Sequence, residues 1–114
     1  MNDVVGYWPT SLFTNLADSA STIQWGGEVI NLKPNGQHTT TQMGSGHFPE
    51  EGFKGASYFK NLQVVDASKT LRSPGTLYTF AANPNCYRIL LEKSSDAWGN
   101  YFYYGGPGRN ANCP

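Results

Sequence analysis

Glu28, in the run Thr22-Ile23-Gln24-Trp25-Gly26-Gly27-Glu28-Val29-Ile30-Asn31, is the side chain of this sequence best placed to do chemistry. Period-two reading as a strand puts Ile23, Trp25 and Val29 on one face and Gln24, Gly26, Glu28 and Ile30 on the other. The second face carries an acid beside an amide, and its glycine neighbours leave room for a backbone or ligand to approach. A glycine inside a strand costs roughly 0.5–1 kcal/mol relative to alanine, so two beside an acid ask for a reason. A cleft floor is one reason; a solvent-facing Glu on a bulged edge strand is the other.

Carboxylate catalysis needs two acids, one giving and one taking a proton. Glu50 and Glu51 follow Pro49 in a loop, and Asp66, Glu92 and Asp96 stand at strand ends, so all five read as surface or structural groups. Other chemistries have weaker support. His38 and His47 lack partners at metal-ligand spacing, so no metal and no cofactor are expected. Gly44-Ser45-Gly46-His47 brings Ser and His too close in sequence for a triad, and Gly105-Gly106-Pro107-Gly108 opens no phosphate-binding helix.

The elements that would position Glu28 are short strands. Sixteen aromatic residues, thirteen Gly, seven Pro and 14% charged residues in 114 make an all-β composition sized for one domain. Strands are expected at Trp25–Asn31, Gln37–Gln42, Ala56–Val65, Thr76–Ala81, Cys86–Glu92 and Tyr101–Tyr104. Turns are expected at Pro34-Asn35-Gly36 and Asn83-Pro84-Asn85, and a structured loop over Met43–Phe53. Residues Tyr7–Ala20, with Leu12, Phe13, Leu16 and Ala20 at helical spacing behind Pro9, are the one helix candidate.

Formal charge is zero with no basic cluster, which argues against nucleic acid. No run approaches a membrane span, and Met1–Gly6 has neither the basic region nor the apolar core of a signal peptide. Cys86 and Cys113 are too few for a disulfide framework, leaving one bridge or two separate buried thiols, of which the bridge is favoured. A bridge implies an oxidising compartment.

Ordered blocks across the chain resemble the C-terminal part of the neprosin family of plant proteins. They are Gly6-Tyr7-Trp8-Pro9, Ser11-Leu12-Phe13, Trp25-Gly26-Gly27-Glu28-Val29, Met43-Gly44-Ser45-Gly46-His47-Phe48-Pro49, Gln63-Val64-Val65-Asp66, Asn85-Cys86-Tyr87 and Tyr104-Gly105-Gly106-Pro107-Gly108-Arg109-Asn110. The resemblance implies a secreted glutamic endopeptidase, an antiparallel β-sandwich that cleaves after proline in acid with two glutamates and no metal. It carries one catalytic role to Glu28 and a disulfide to Cys86 and Cys113. In that family the other catalytic glutamate lies in an N-terminal half that follows a signal and a propeptide. Residues 1–114 then correspond to the C-terminal portion of the peptidase domain: a partial sandwich with one short N-terminal helix, inactive alone.

In the family mechanism one glutamate, ionised, takes a proton from the attacking water while the other, protonated, serves the oxyanion or the leaving amine. A proline-selective pocket would be shallow and aromatic, which nominates Tyr101 and Tyr103 beside Gln24 and Gly26 as substrate-binding residues; ordinary core is the alternative for the two tyrosines. The expected partner is a proline-containing peptide or protein, with self-association or pairing with an N-terminal half. The competing reading is a non-catalytic β module that binds proline-rich peptides or wall glycoproteins.

Overall fold

The strands that pair are short runs rich in aromatic and branched apolar residues. The computed structural model describes Gly6 and residues 8–114. Five short strands run in the order β1 (Ser57–Phe59), β2 (Val64–Val65), β3 (Leu71–Arg72), β4 (Arg88–Leu91) and β5 (Phe102–Gly105), with a single-turn helix α1 at Gly52–Gly55. β5 is the centre of a three-stranded antiparallel sheet ordered β1-β5-β4, and β2 and β3 form a separate hairpin.

The register sorts side chains between two faces. Ser57 pairs with Tyr104, Tyr58 with Tyr103 and Phe59 with Phe102, while Ile89 and Leu91 of β4 lie opposite Tyr104 and Phe102. One face therefore carries Phe59, Phe102, Tyr104, Ile89 and Leu91, with Phe59 stacked on Phe102 at a centroid distance of 5.2 Å. The other carries Tyr58 and Tyr103. Ala56, Leu62, Cys86, Tyr87, Phe102 and Cys113 are buried, and Val29 and Met43 pack against the Cys86–Tyr87–Cys113 cluster.

The expected Ala56–Val65 strand is broken in two by Asn61, whose φ of 53° is left-handed. The β2–β3 hairpin was not expected; the Asp66 backbone N–H donates to Thr70 O at 3.0 Å to close it. The Met43–Phe53 loop is structured as expected. Met43 bridges Gly106, and a 3-10 turn over Pro49–Glu51, with Pro49 fully buried, leads into α1.

Four expected elements are corrected. The helix over Tyr7–Ala20 is a 3-10 turn, Thr10–Leu12, and Tyr7 lies outside the described residues. Short helices gain most of their stability from packing an apolar face, and Leu12, Phe13 and Leu16 are exposed. Trp25–Asn31 and Gln37–Gln42 form no ladder; the tie between them is the Thr39 N–H donating to the Asn31 side-chain oxygen at 3.1 Å. Thr76–Ala81 is also unpaired, with Tyr78 90% and Phe80 86% exposed. A strand needs a neighbour for its backbone groups; Gln37–Gln42 has only isolated bonds to the C-terminal loop, His38 N–H to Pro114 O and Arg109 N–H to Thr39 O, and the described residues give the other segments no ladder.

The β character is as expected, and the antiparallel architecture is a sheet of three strands plus a hairpin, smaller than two packed sheets. The chain is open. It exposes 8990 Å², against about 6,200 Å² for a folded monomer of this mass. Its radius of gyration is 16.9 Å, against about 13 Å for a compact domain of this length.

Candidate functional site

The Glu28 segment keeps its alternation from Trp25 onward without being a strand, whereas Ile23, expected on the packed face, is 50% exposed. Val29 packs on the Cys86–Tyr87–Cys113 cluster and Trp25 is half-buried, while Gln24, Gly26 and Glu28 are exposed. Gly27 explains how the segment sits so close to the sheet. A Cβ there would lie 2.8 Å from Met43 Cγ and 3.2 Å from Tyr104 Cε2, so the Met43 side chain or the segment would have to shift to admit one. Gly26 has nothing within 4 Å of such a position, which leaves open space beside Glu28. Gln24, Gly26 and Glu28 thus share the exposed side of a segment seated on the Tyr104 face.

Tyr101 and Tyr103 are elsewhere. Tyr103 lies 6.1 Å from Tyr58 and 6.0 Å from Tyr101, and Tyr101 lies 5.1 Å from Trp98, all between ring centroids. This aromatic group, extended by Phe53 against Trp98 and by Lys60 above the indole, occupies the face opposite Tyr104. The sheet therefore separates the two tyrosines from the support of Glu28. Burial raises the Tyr103 hydroxyl above the ordinary phenol range, with Tyr101 and Glu92 adding to it, so Tyr103 is a neutral ring and hydrogen-bonding group.

Three of the other acids are engaged. Glu50 accepts a hydrogen bond from Arg88 at 2.9 Å, which holds its carboxyl below the usual range, and the Arg88 guanidinium also lies 4.6 Å above the Phe48 ring. Glu51 pairs with His47 Nδ1 at 2.7 Å. Asp66 is held low by the Arg72 guanidinium at 2.7 Å and by backbone N–H groups of the hairpin. Among the described residues, no cation pairs with Glu28.

Cys86 and Cys113 are joined in a disulfide with a Cα–Cα distance of 5.4 Å, and it is buried. His38 packs beside it. Its backbone N–H donates to Pro114 O at 3.2 Å, its ring lies 5.4 Å from that of Tyr87, and the Tyr87 hydroxyl donates to Thr41 O at 2.8 Å. Gly108, at φ 75°, lets the C-terminal loop run against Thr39 and Thr41 carbonyls, where a Cβ would come within 2.7 Å of both oxygens. Sequence reading missed His38 as a partner of these cysteines because the three are far apart along the chain. It also missed Tyr58 and Trp98 as partners of the two tyrosines, although Tyr58 was legible as an aromatic within an expected strand.

The sequence matches the Neprosin family over residues 1–107, and the chain belongs to that family. The match spans the Glu28 segment, the Met43–Pro49 loop and all five strands.

Proposed function

We propose that this chain carries one half of a glutamic peptidase site, with Glu28 as one of two carboxyls that activate water to cleave a peptide after proline. The observation that carries this reading is the setting of Glu28 within a neprosin-family chain. It is an unpaired, exposed acid on a segment that Gly27 seats against Tyr104, with open space at Gly26. Gln24 and Gly26 would flank the bound peptide on the same side.

A single carboxylate does not make a dyad. Glu50 and Asp66 are held by arginines and Glu51 by His47, and the family resemblance assigns the second acid to the N-terminal part of the peptidase domain. That added part would complete the β-sandwich and cover the apolar surface around Ile30, Leu32, Tyr78 and Phe80. Two carboxyls sharing a site cannot both ionise cheaply, so one stays protonated and the working range is acidic. Secretion fits the buried disulfide, which persists in oxidising compartments.

The test is a chimera in which this sequence replaces the corresponding part of a full-length neprosin-family chain. Cleavage after proline in acid, lost on Glu28→Gln with the fold retained, supports the reading; unchanged cleavage in Glu28→Gln overturns it. This chain by itself is expected to be inactive.

A second reading rests on the aromatic face. Tyr58, Trp98, Tyr101 and Tyr103 present tilted and edge-on rings, a surface suited to proline rings. As a non-catalytic module, the chain would hold a proline-rich peptide or wall glycoprotein there. Calorimetry of this chain with a proline-rich peptide, repeated with Trp98→Ala, separates the two readings: binding lost on Trp98→Ala supports the module, and no binding removes it.

A further inference from the structure

The disulfide, His38 and a cavity meet at one end of the molecule. A ring nitrogen of His38 and the Sγ atoms of Cys86 and Cys113 all lie within 4.8 Å of one another, and all three residues are buried. His38 is 4% exposed, and its Nε2 is buried with no hydrogen-bond partner among the described residues. An orphaned buried nitrogen is costly, so its persistence calls for a physical reason.

The tautomer supplies half of that reason. Thr39 O lies 2.9 Å from His38 Nδ1 and can only accept, so Nδ1 carries the proton and Nε2 keeps a free lone pair. A backbone carbonyl holding one imidazole nitrogen while the other faces outward is the arrangement that prepares histidine to bind a metal. A cavity of about 220 Å³, lined by His38, Cys86 and Cys113 with Lys33, Asn85 and Asn112, adjoins the group.

We propose that reduction of the Cys86–Cys113 disulfide turns this cluster into a Cys₂His site for zinc or another thiophilic divalent cation. A dithiol reductant breaks the Sγ–Sγ bond by delivering two electrons and two protons, and leaves as its own disulfide. The two protein thiols release those protons when the cation binds as a thiolate complex. Thiolate and imidazole are the donors zinc prefers, and water from the cavity fills the fourth position. Ligand atoms around tetrahedral zinc lie about 3.5–3.8 Å apart, given Zn–S near 2.3 Å and Zn–N near 2.0–2.1 Å.

The two cysteines stay together without the disulfide. Cys113 exchanges backbone hydrogen bonds with Asn110 at 3.0 Å in both directions, and the Asn110 amide donates to Asn85 O at 2.9 Å beside Cys86. The Cys86 N–H is turned onto Asn83 O at 2.9 Å. These contacts place both thiols independently of the bond between them. In the oxidised chain the sulfurs have no thiolate to offer, so the site exists only after reduction.

The experiment titrates the full chain with Co²⁺ alone, oxidised and after phosphine reduction without oxygen. The reduced chain should bind one equivalent, with thiolate-to-cobalt charge-transfer absorption and tetrahedral d–d bands that Zn²⁺ displaces. The oxidised chain should show neither. His38→Gln should weaken binding by roughly tenfold or more, since even outer-shell partners of metal ligands are worth that much, and His47→Gln should change nothing. Absence of the bands in the reduced chain, equal affinity in His38→Gln, or dependence on His47 instead, as an unfolded chain would show, overturns the proposal.

Discussion

Gly27 lies against the ring of Tyr104 so closely that an added Cβ would stand 3.2 Å from Tyr104 Cε2 and nearer still to Met43. This contact links the β5 strand to the segment that presents Glu28, and it sets where the carboxylate stands relative to the sheet. Gly27 itself is exposed and the Met43 side chain can partly move aside, so the cost belongs at the low end of the roughly 1–3 kcal/mol typical of overpacking. Gly27→Ala is therefore expected to destabilise by about that amount and to lower turnover of the completed enzyme. Gly75→Ala, with nothing within 4 Å of its Cβ position, should leave both stability and turnover close to wild type. Denaturant titration and peptide cleavage on the same variants measure both effects; equal behaviour of the two would remove Gly27 as the positioning contact.

The Cys86–Cys113 bridge closes a loop with a sequence separation of 27. Loop-closure entropy values such a constraint at about 3.5 kcal/mol. Cys113→Ser should lower the unfolding temperature of oxidised material, and alkylation without reductant should label no thiol in the wild type. Two labelled thiols would contradict the bridge.

The Glu50–Arg88 pair makes a pH-dependent contribution whose sign is fixed by its chemistry. Arg88 depresses the Glu50 pKa in the folded chain, so the pair stabilises fully above the unfolded carboxylate value and its contribution fades as pH falls through the depressed one. Both side chains are about half exposed, so the effect belongs with surface pairs, at about 0.2–1 kcal/mol. Glu50→Gln should cost that much at neutral pH and almost nothing in strong acid. Thermal unfolding across pH tests it, and a penalty that grows in acid would reverse the sign.

Leu32 and Ile30 are exposed together with Tyr78 and Phe80, each above three-quarters of its full surface. Unpaired segments carrying such residues are templates for association. The purified chain should self-associate as its concentration rises, by sedimentation or light scattering. A monodisperse monomer with a sharp cooperative melt would show a self-sufficient domain and favour the binding-module reading.

What was legible in the sequence follows from which forces are local. Alternation at Tyr87, Ile89 and Leu91 marked β4 and the face these residues share, and alternation at Trp25 and Val29 marked which side of the Glu28 segment packs, even though no ladder forms there. Side-chain direction needs only the local backbone; pairing needs a partner, so Thr76–Ala81 had strand residues and no strand. The helix over residues 7–20 failed for the same reason, because Leu12 and Leu16 stay exposed among the described residues. Of the candidate site, Glu28, Gln24 and Gly26 were placed together by period alone. Tyr101 and Tyr103 were placed on one face correctly, but which face supports Glu28 depended on the contact of Gly27 with Tyr104, which no local pattern encodes. His38 reaches Cys86 and Cys113 through tertiary packing, beyond any spacing motif.

The central claim is that Glu28 is one carboxyl of a water-activating pair, and post-proline cleavage by the full-length chimera measures it most directly. The account predicts acid-range cleavage that Glu28→Gln reduces by about 10²–10⁴-fold, the usual worth of a general acid or base, with circular dichroism unchanged. Cleavage by Glu28→Gln at the wild-type rate would contradict it.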